Sequence, residues 1–110
     1  MKSYRLSVKW RLGMEPIFAL KWLKLLVSEN KFLLVKRKAS HTSLVTKEMV
    51  KLIVNDLSMK DFVKSEKDRD FPNEYVWIYE TTFGIKYYIK FKFFNKGQEI
   101  LFISFHEALY

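Results

Sequence analysis

The stretch KYYIKFKFFNKGQEILFISF, residues 86–105, decides the fold of this chain. From Lys86 to Phe94, apolar residues alternate with lysine and tyrosine, which is the two-residue period of a half-buried strand. Asn95-Lys96-Gly97 follows, and Asn and Gly accept the positive φ that tight hairpin turns require. Glu99 to Phe105 then returns as the partner strand. The stretch therefore predicts an antiparallel β-hairpin at the centre of a sheet.

Helical patterns precede the hairpin in the chain. Glu15 and Pro16 suit the first turn of a helix that ends near Ser28, because acidic residues and proline are favoured there. Thr46 is a good cap for a second helix, Lys47 to about Asp56. The other predicted elements are a strand from Phe32 to Val35, a helical turn from Ser58 to Asp61, a solvated charged loop from Lys64 to Asp70 and a strand from Tyr75 to Thr82. This order predicts an α+β fold, with N-terminal helices packed on an antiparallel β-sheet.

The length of 110 residues predicts one domain, because it provides for one hydrophobic core. A hydrophobic fraction of 49% is ample for that core. Residues 1–13 are basic and end at Gly13, so they form an arm or an edge strand beside a main body of residues 15–110. Met14 is an alternative start, which would make the arm dispensable.

A formal net charge of +8 makes the chain strongly basic. Such a field attracts nucleic acid, an anionic membrane or an acidic protein, and charge alone does not choose among them. The longest apolar region, Ile17 to Val27, contains two lysines and is too short to span a bilayer. The N-terminus also lacks a signal-peptide pattern, so the sequence predicts a cytoplasmic protein with no membrane partner.

Several kinds of chemistry are excluded by composition and spacing. The chain has no cysteine, which excludes disulfides and cysteine-ligated zinc. It also has no phosphate-cradling glycine loop, no nucleophile elbow and no metal ligands at a recognised spacing. The sequence therefore predicts neither a metal nor a cofactor.

Alternation along the hairpin separates two faces of the sheet. The side expected to face the helices carries Tyr87, Ile89, Phe91 and Phe93, with Leu101, Ile103 and Phe105 of the partner strand. The opposite side carries Tyr88, Lys90 and Lys92, with Ser104 and His106. Pairing across the hairpin would place Tyr88, Lys90, Lys92 and His106 on one basic, aromatic surface that is open to solvent.

That surface suits RNA cleavage without a metal. The reaction needs a base for the 2′-hydroxyl, an acid for the leaving 5′-oxygen and fixed positive charge for the phosphorane-like transition state. His106 can serve as acid or base, the lysines can hold phosphate, and Tyr88 can donate a proton or stack a base. A face of this kind is, however, more often only the wet side of a half-buried sheet, with a surface histidine at a strand end.

Four segments in register resemble the MqsR family of toxins. Residues 57–65, LSMKDFVKS, are similar to the L-S-x-x-D-[FY]-x-K stretch of that family, and Val76-Trp77 is similar to its V-W pair. Tyr87-Tyr88-Ile89-Lys90 is similar to the x-Y-[IL]-K strand, and Ile103 to Ala108 is similar to the terminal strand with its S-F-H-E-A ending. The agreement in order and spacing covers about residues 15–110 and leaves the arm 1–13 outside.

The resemblance implies a RelE-like fold and the toxin of a type II toxin–antitoxin system. Such toxins are ribosome-independent, sequence-selective mRNA endoribonucleases that inhibit translation and growth, and the antitoxin that blocks them often carries its own zinc. The positions assigned to activity in the family match Lys64, Tyr88 and His106, of which Lys64 is identified by the resemblance alone. Ile78 stands where some members have glutamine. His106 stands where those members have a lysine, so a fixed charge is replaced by a titratable group.

The leading hypothesis is therefore an endoribonuclease toxin that acts on mRNA without a cofactor. Its catalytic residues would be Lys64, Tyr88 and His106, while Lys90 and, more weakly, Lys92 would bind RNA. One alternative is a non-catalytic RNA-binding module that uses the same face. The other is a basic protein-interaction domain that docks an acidic partner.

Overall fold

A computed structural model describes residues 14–35 and 45–108 of the chain. Within them the elements are, in chain order, α1 (Pro16–Ser28), β1 (Phe32–Leu34), α2 (Lys47–Asp56), a 3-10 turn (Met59–Asp61), β2 (Phe62–Lys67), β3 (Tyr75–Phe83), β4 (Ile85–Phe94) and β5 (Glu99–Glu107). The arm 1–13, for which an edge strand is one expectation, lies outside the described residues.

The strands of the described residues form one sheet in the order β1-β5-β4-β3-β2. The hairpin β4–β5 is antiparallel and has a further strand on either side, which confirms its predicted central position. β1 pairs with β5 in parallel, so the sheet is mixed and not wholly antiparallel. The three-residue β1 covers the edge that β5 would otherwise expose to other chains. The predicted α+β class is confirmed.

The helices build a hydrophobic core with one face of the sheet. The buried side of α1 consists of Ala19, Leu20, Leu23, Leu26 and Val27, whose spacing of three and four residues makes one stripe along a helix. From β4, Tyr87, Ile89, Phe91 and Phe93 face this core, as predicted. The opposite side of the sheet is called the outer face below.

The turn between β4 and β5 adopts the conformation that its sequence predicts. Asn95, Lys96 and Gly97 have φ values of 54°, 57° and 80°, which are left-handed values that Asn and Gly accept at low cost. Trp22 of α1 donates a hydrogen bond from Nε1 to the carbonyl oxygen of Gly97. This bond ties the first helix to the tip of the hairpin.

The charged run that begins at Lys64 is a strand for the first half of its length. β2 extends to Lys67, so only residues 68–70 of the run lie in the connection to β3. The prediction of a solvated loop from Lys64 to Asp70 is therefore wrong for its first half. β2 lies at the edge of the sheet, and edge strands carry charged side chains because one side of each is open to water. Charge density alone cannot distinguish such a strand from a loop.

A β-bulge in β2 places Lys64 on the outer face. Phe62 pairs with Tyr79 and Lys64 pairs with Ile78, so Val63 is an extra residue. A bulge reverses the alternation beyond it, because two residues of one strand oppose one residue of the other. Phe62 consequently packs against the core, whereas Lys64, two residues later, lies on the opposite side.

A second bulge acts in the same way on the last strand. Phe102 pairs with Phe91, and Ser104 pairs with Lys90, so Ile103 is the extra residue of β5. Phe102 is fully buried in the core. The residues beyond Ile103 therefore follow an alternation that is shifted by one position.

The bulge also corrects one prediction about the core. Leu101 and Ile103 were expected to join it, but both line a cleft on the outer face instead. The prediction is wrong for these two residues because strict alternation back from Phe105 does not hold across the bulge. Phe105 packs against the core and His106 lies on the outer face, as predicted.

Candidate functional site

The sheet register brings four of the five predicted site residues together on the outer face. Lys64 pairs with Ile78, Ile78 with Lys90, and Lys90 with Ser104, which makes one row across four strands. Neighbouring strands lie about 4.8 Å apart, so Lys64 and Lys90 stand on either side of Ile78. The residue that only the family resemblance identified is thus part of the same surface as Lys90.

Tyr88 and His106 form an aromatic pair in the adjacent row. They are register partners in β4 and β5, and their rings stack with centroids 5.5 Å apart and an interplanar angle of 29°. Both residues are half-buried. Tyr88 precedes Lys90 by two residues, so the two side chains stand about 7 Å apart on the same face of one strand.

The hydrogen bonding of His106 defines which ring nitrogen can exchange a proton with a ligand. Its Nδ1 lies 2.8 Å from the backbone carbonyl oxygen of Glu107. A carbonyl oxygen only accepts hydrogen bonds, so Nδ1 carries the hydrogen and donates it. Nε2 is then the basic nitrogen of the neutral ring and the second donor of the protonated ring.

The environments of the two lysines in the first row suit the binding of an anion. The Lys64 side chain is 58% exposed, and its Nζ lies 3.1 Å from Oε1 of Glu66. An exposed ion pair of this kind contributes little stability, so a phosphate can compete with Glu66 for the ammonium group. Lys90 is half-buried beside Ile78, which is 4% exposed. The row therefore presents two cations around an apolar centre.

Lys92 is set apart from the other predicted residues. It was expected to be open to solvent, but this is wrong, since its side chain is only 8% exposed. Its Nζ contacts Asp68 Oδ2 and Glu74 Oε1, both at 2.5 Å, and lies 4.6 Å from the centre of the Phe71 ring. These contacts anchor the β2–β3 connection to the sheet. A phosphate would have to displace two carboxylates to reach Lys92.

The ion pairs also shift the pKa values of Lys92 and Asp68. Desolvation lowers the pKa of Lys92, but the hydrogen bonds to Asp68 and Glu74 outweigh it, so the pKa lies above its ordinary value. The hydrogen bond from Lys92 holds the pKa of the Asp68 carboxyl below its ordinary value. Lys92 and Asp68 are consequently charged at neutral pH.

A model of the MqsR toxin family, described as "Motility quorum-sensing regulator, toxin of MqsA", matches residues 15–107. The chain belongs to the MqsR toxin family. This confirms the resemblance seen in the sequence, and the matched range again leaves the arm 1–13 outside. No curated protein matches the chain. As an MqsR toxin, the protein is the toxin of a toxin–antitoxin system, and the family implies an antitoxin partner.

This MqsR toxin departs from some of its family at the centre of the site. Ile78, where those members have glutamine, lies between Lys64 and Lys90 in the row. Its side chain has no polar atom, so it can neither orient a substrate by hydrogen bonding nor transfer a proton. The role that the resemblance assigns to the glutamine is therefore vacant at this position.

Two charged residues of the outer face escaped the sequence analysis of this MqsR toxin. Glu80 pairs with Tyr88 in the register, and its Oε1 lies 3.4 Å from Nζ of Lys86. Lys86 precedes Tyr88 by two residues, so the alternation that identified Tyr88 and Lys90 also indicates Lys86. Glu80 follows Ile78 by two residues, and the same rule applied to β3 would have found it.

A cleft of about 780 Å³ lies beside the site of the MqsR toxin. The β2–β3 connection forms one wall, and β4 and β5 form its floor. Its lining includes Arg69 and Lys90 together with the apolar Phe71, Leu101 and Ile103. Phe71 is 57% exposed. The lining also contains Glu66, Asp68 and Asp70, so the cleft combines an apolar floor with a rim of mixed charge.

The described part of this MqsR toxin, residues 14–35 and 45–108, has no group of three or more His, Cys, Asp or Glu residues that could hold a metal ion. Neither α1 nor α2 is long and apolar enough to cross a membrane.

Proposed function

We propose that this toxin is a metal-independent, sequence-selective mRNA endoribonuclease that inhibits translation and growth from within the cytoplasm. The observation that supports this most is the stacked Tyr88–His106 pair on the same face as Lys90 and Lys64. A proton-transferring imidazole, a phenol and two cations are the groups that cleavage of an RNA strand requires without a metal.

In the proposed reaction, the 2′-oxygen attacks the adjacent phosphorus and the bond to the 5′-oxygen breaks. The products are a 2′,3′-cyclic phosphate and a 5′-hydroxyl. Lys64 and Lys90 stabilise the negative charge on the phosphate, His106 transfers a proton through Nε2, and Tyr88 orients the substrate or stacks a base. Lys92 is the weakest phosphate contact of the set, because its ammonium group is already paired with two carboxylates.

The net charge of +8 is in keeping with an RNA substrate. Each lysine that contacts a phosphate releases condensed counterions, so binding should weaken steeply as salt concentration rises. The antitoxin implied by the family is expected to block cleavage. The resemblance suggests that zinc, where the system has it, belongs to that antitoxin.

Cleavage of end-labelled mRNA in the presence of EDTA tests the proposal. We expect the wild-type protein to cut at defined sites, and His106→Ala, purified in parallel, to cut at least about 100-fold more slowly, as for loss of a proton-transferring group. The free energy of unfolding of His106→Ala should change by only about 0.5 kcal/mol, because the residue lies outside the core.

The remaining outcomes separate the alternatives. RNA binding without cleavage would indicate a non-catalytic RNA-binding module, and the absence of salt-dependent RNA binding would indicate a protein-interaction domain. Cutting by His106→Ala at the wild-type rate would remove His106 from the mechanism. Aggregation of this variant would instead assign the side chain a structural role.

A further inference from the structure

RNA cleavage of the proposed kind needs two groups that transfer protons, one on each side of the phosphorus. Among the predicted site residues, only His106 readily accepts a proton near neutral pH, since lysine and tyrosine side chains ordinarily hold their protons there. Ile78 cannot supply the second group. A carboxylate on the outer face is the remaining candidate. Asp68 and Glu74 are held by Lys92, so Glu80 and Glu66 are the ones to compare.

Glu80 shares a row with the aromatic pair. It pairs with Tyr88 in β3–β4, and Tyr88 pairs with His106 in β4–β5. Glu80 and His106 therefore flank Tyr88 on opposite sides, two strand spacings or about 10 Å apart at their α-carbons. The attacking 2′-oxygen and the leaving 5′-oxygen also lie on opposite sides of the phosphorus. A phosphate held above Tyr88 would thus have one proton-transferring group on each side.

Glu66 does not meet this requirement. It pairs with Val76 on the edge strand β2, which is four residues of β3 away from the position of Glu80. Four residues of strand span about 13 Å, and three strand spacings separate β2 from β5. Its carboxylate is also paired with Lys64. Glu66 is therefore too far from His106 to act on the same phosphate.

We propose that Glu80 is the general base and His106 the general acid of this toxin. The inference rests on the proposed function and assigns the two proton transfers within it. The Glu80 carboxylate accepts the proton of the 2′-hydroxyl, and the 2′-oxygen forms a bond to phosphorus. The bond between phosphorus and the 5′-oxygen breaks with its electron pair on oxygen, and Nε2–H of the His106 imidazolium gives that oxygen its proton. No further reactant is needed.

The surroundings of Glu80 fit a base. Its side chain is 29% exposed, so a substrate can reach the carboxylate. The charged and titratable side chains of the described residues that share its face lie on three strands and one connection: Lys86, Tyr88, Lys90 and Lys92 on β4, His106 and Glu99 on β5, Lys64 and Glu66 on β2, and Asp68 and Glu74 beside Lys92. Lys86 Nζ lies 3.4 Å from Oε1 of the carboxylate. A variant that lacks the Lys86 ammonium group still contains the Glu80 carboxylate that we propose as the base.

The first test compares isosteric variants on an RNA that the wild-type protein cuts. Glu80→Gln should lower the cleavage rate by about 100-fold or more. It should bind an RNA with a 2′-deoxy residue at the cut as the wild type does. Glu99→Gln is the matched control, because Glu99 is a partly buried strand carboxylate at the far end of β5, and it should cut normally. Lys86→Gln should lose far less activity than Glu80→Gln; equal losses would make Glu80 only the partner of Lys86.

The second test separates base from acid with a sulfur atom in place of the leaving 5′-oxygen. A thiolate leaves without a proton, so this substrate does not need the general acid. His106→Ala should therefore recover most of its lost rate on the sulfur substrate, whereas Glu80→Gln should remain slow. Recovery of Glu80→Gln but not of His106→Ala would reverse the two roles and overturn the assignment.

The wild-type protein provides a third measurement that does not depend on the folding of any variant. With the oxygen substrate, the rate should fall at low pH as the base becomes protonated and at high pH as the acid loses its proton. With the sulfur substrate only the fall at low pH should persist. Two identical pH profiles would overturn the inference, as would a Glu80→Gln variant that cuts at the wild-type rate. A wild-type protein that cuts neither substrate would refute the proposed function itself.

Discussion

At the scale of single residues, Tyr88 and Lys90 offer the sharpest separation of roles. Lys90→Ala should weaken RNA binding, reduce its salt dependence by about one charge and slow cleavage, because one phosphate contact is lost. Tyr88→Phe keeps the ring that stacks on His106 and removes only the hydroxyl. It should slow cleavage with little change in binding if the hydroxyl acts in the transition state.

These variants are measured by salt-dependent gel shifts and single-turnover cleavage. If Tyr88→Phe changes neither RNA binding nor the cleavage rate, the tyrosine ring is only a stacking platform. If Tyr88→Ala and Lys90→Ala both leave RNA binding and cell toxicity unaltered, the outer face is only a solvated sheet surface and takes no part in function.

Tyr79 carries a polar group that the core does not satisfy. Its side chain is fully buried, and its hydroxyl has no hydrogen-bond partner among the described residues. Burial, and to a lesser extent the charge of Asp61, raises the pKa of Tyr79 above its ordinary value. Tyr79→Phe should therefore stabilise the fold by about 1 kcal/mol, since it removes an uncompensated desolvation cost. Urea denaturation measures this, and a loss of stability would show that the hydroxyl makes a bond.

At this scale the sequence indicated most residues of the candidate site, for definite physical reasons. Tyr88, Lys90 and His106 follow from the period of two in a strand that is buried on one side. Lys92 obeys the same period, yet its exposure could not be predicted, because Asp68 and Glu74 reach it from a connection 18 to 24 residues earlier in the chain. Periodicity carries no information about such long-range ion pairs.

At the scale of elements, the anchoring of the β2–β3 connection by Lys92 can be measured. Lys92→Met should lower the free energy of unfolding by about 3 kcal/mol, because it leaves the largely buried Asp68 without its cation. Lys86→Met is the matched control. It removes a more exposed pair with Glu80 and should cost less than about 1 kcal/mol. Equal losses would show that the connection is not held by Lys92.

The stability difference between the wild type and Lys92→Met should depend on pH. The lowered pKa of Asp68 contributes stability above the ordinary aspartate pKa of about 3.9, and that contribution is lost as pH falls through the lower folded value. The raised pKa of Lys92 contributes below the ordinary lysine pKa of about 10.4 and is lost as pH rises through the higher folded value. The difference should thus be largest near neutral pH and shrink at both extremes in denaturation curves.

The bulges are the part of the elements that the sequence did not disclose. Val63 and Ile103 are β-branched residues in ordinary strand surroundings, and neither is a glycine or proline that would mark an irregularity. The alternation that placed His106 correctly therefore placed Leu101 and Ile103 wrongly. The motif resemblance identified Lys64 where the charge pattern indicated a loop. A sequence motif identifies a residue whatever secondary structure its backbone adopts.

At the scale of the whole molecule, the core and the candidate site occupy opposite faces of one sheet. The helices cover the face of Ile89 and Phe91, and the outer face carries Tyr88 and Lys90. The α+β class was predictable because helical and strand periods are segregated along the chain. The parallel pairing of β1 was not, since three residues carry too little pattern to define a direction. This division explains why substitutions at the site are expected to change activity more than stability.

The bulge at Ile103 has a consequence for insertions and deletions in this strand. Deleting Ile103 would leave Phe102 opposite Phe91 and Ser104 opposite Lys90 in regular pairing, so His106 would keep its side. Inserting one more residue there would make two extra residues, which is one full period of a strand, so His106 would keep its face but move from Tyr88 to a position opposite Lys86. A one-residue gap at this point in an alignment of relatives is therefore compatible with an unchanged site. A one-residue insertion marks a relative in which the histidine has lost its aromatic partner.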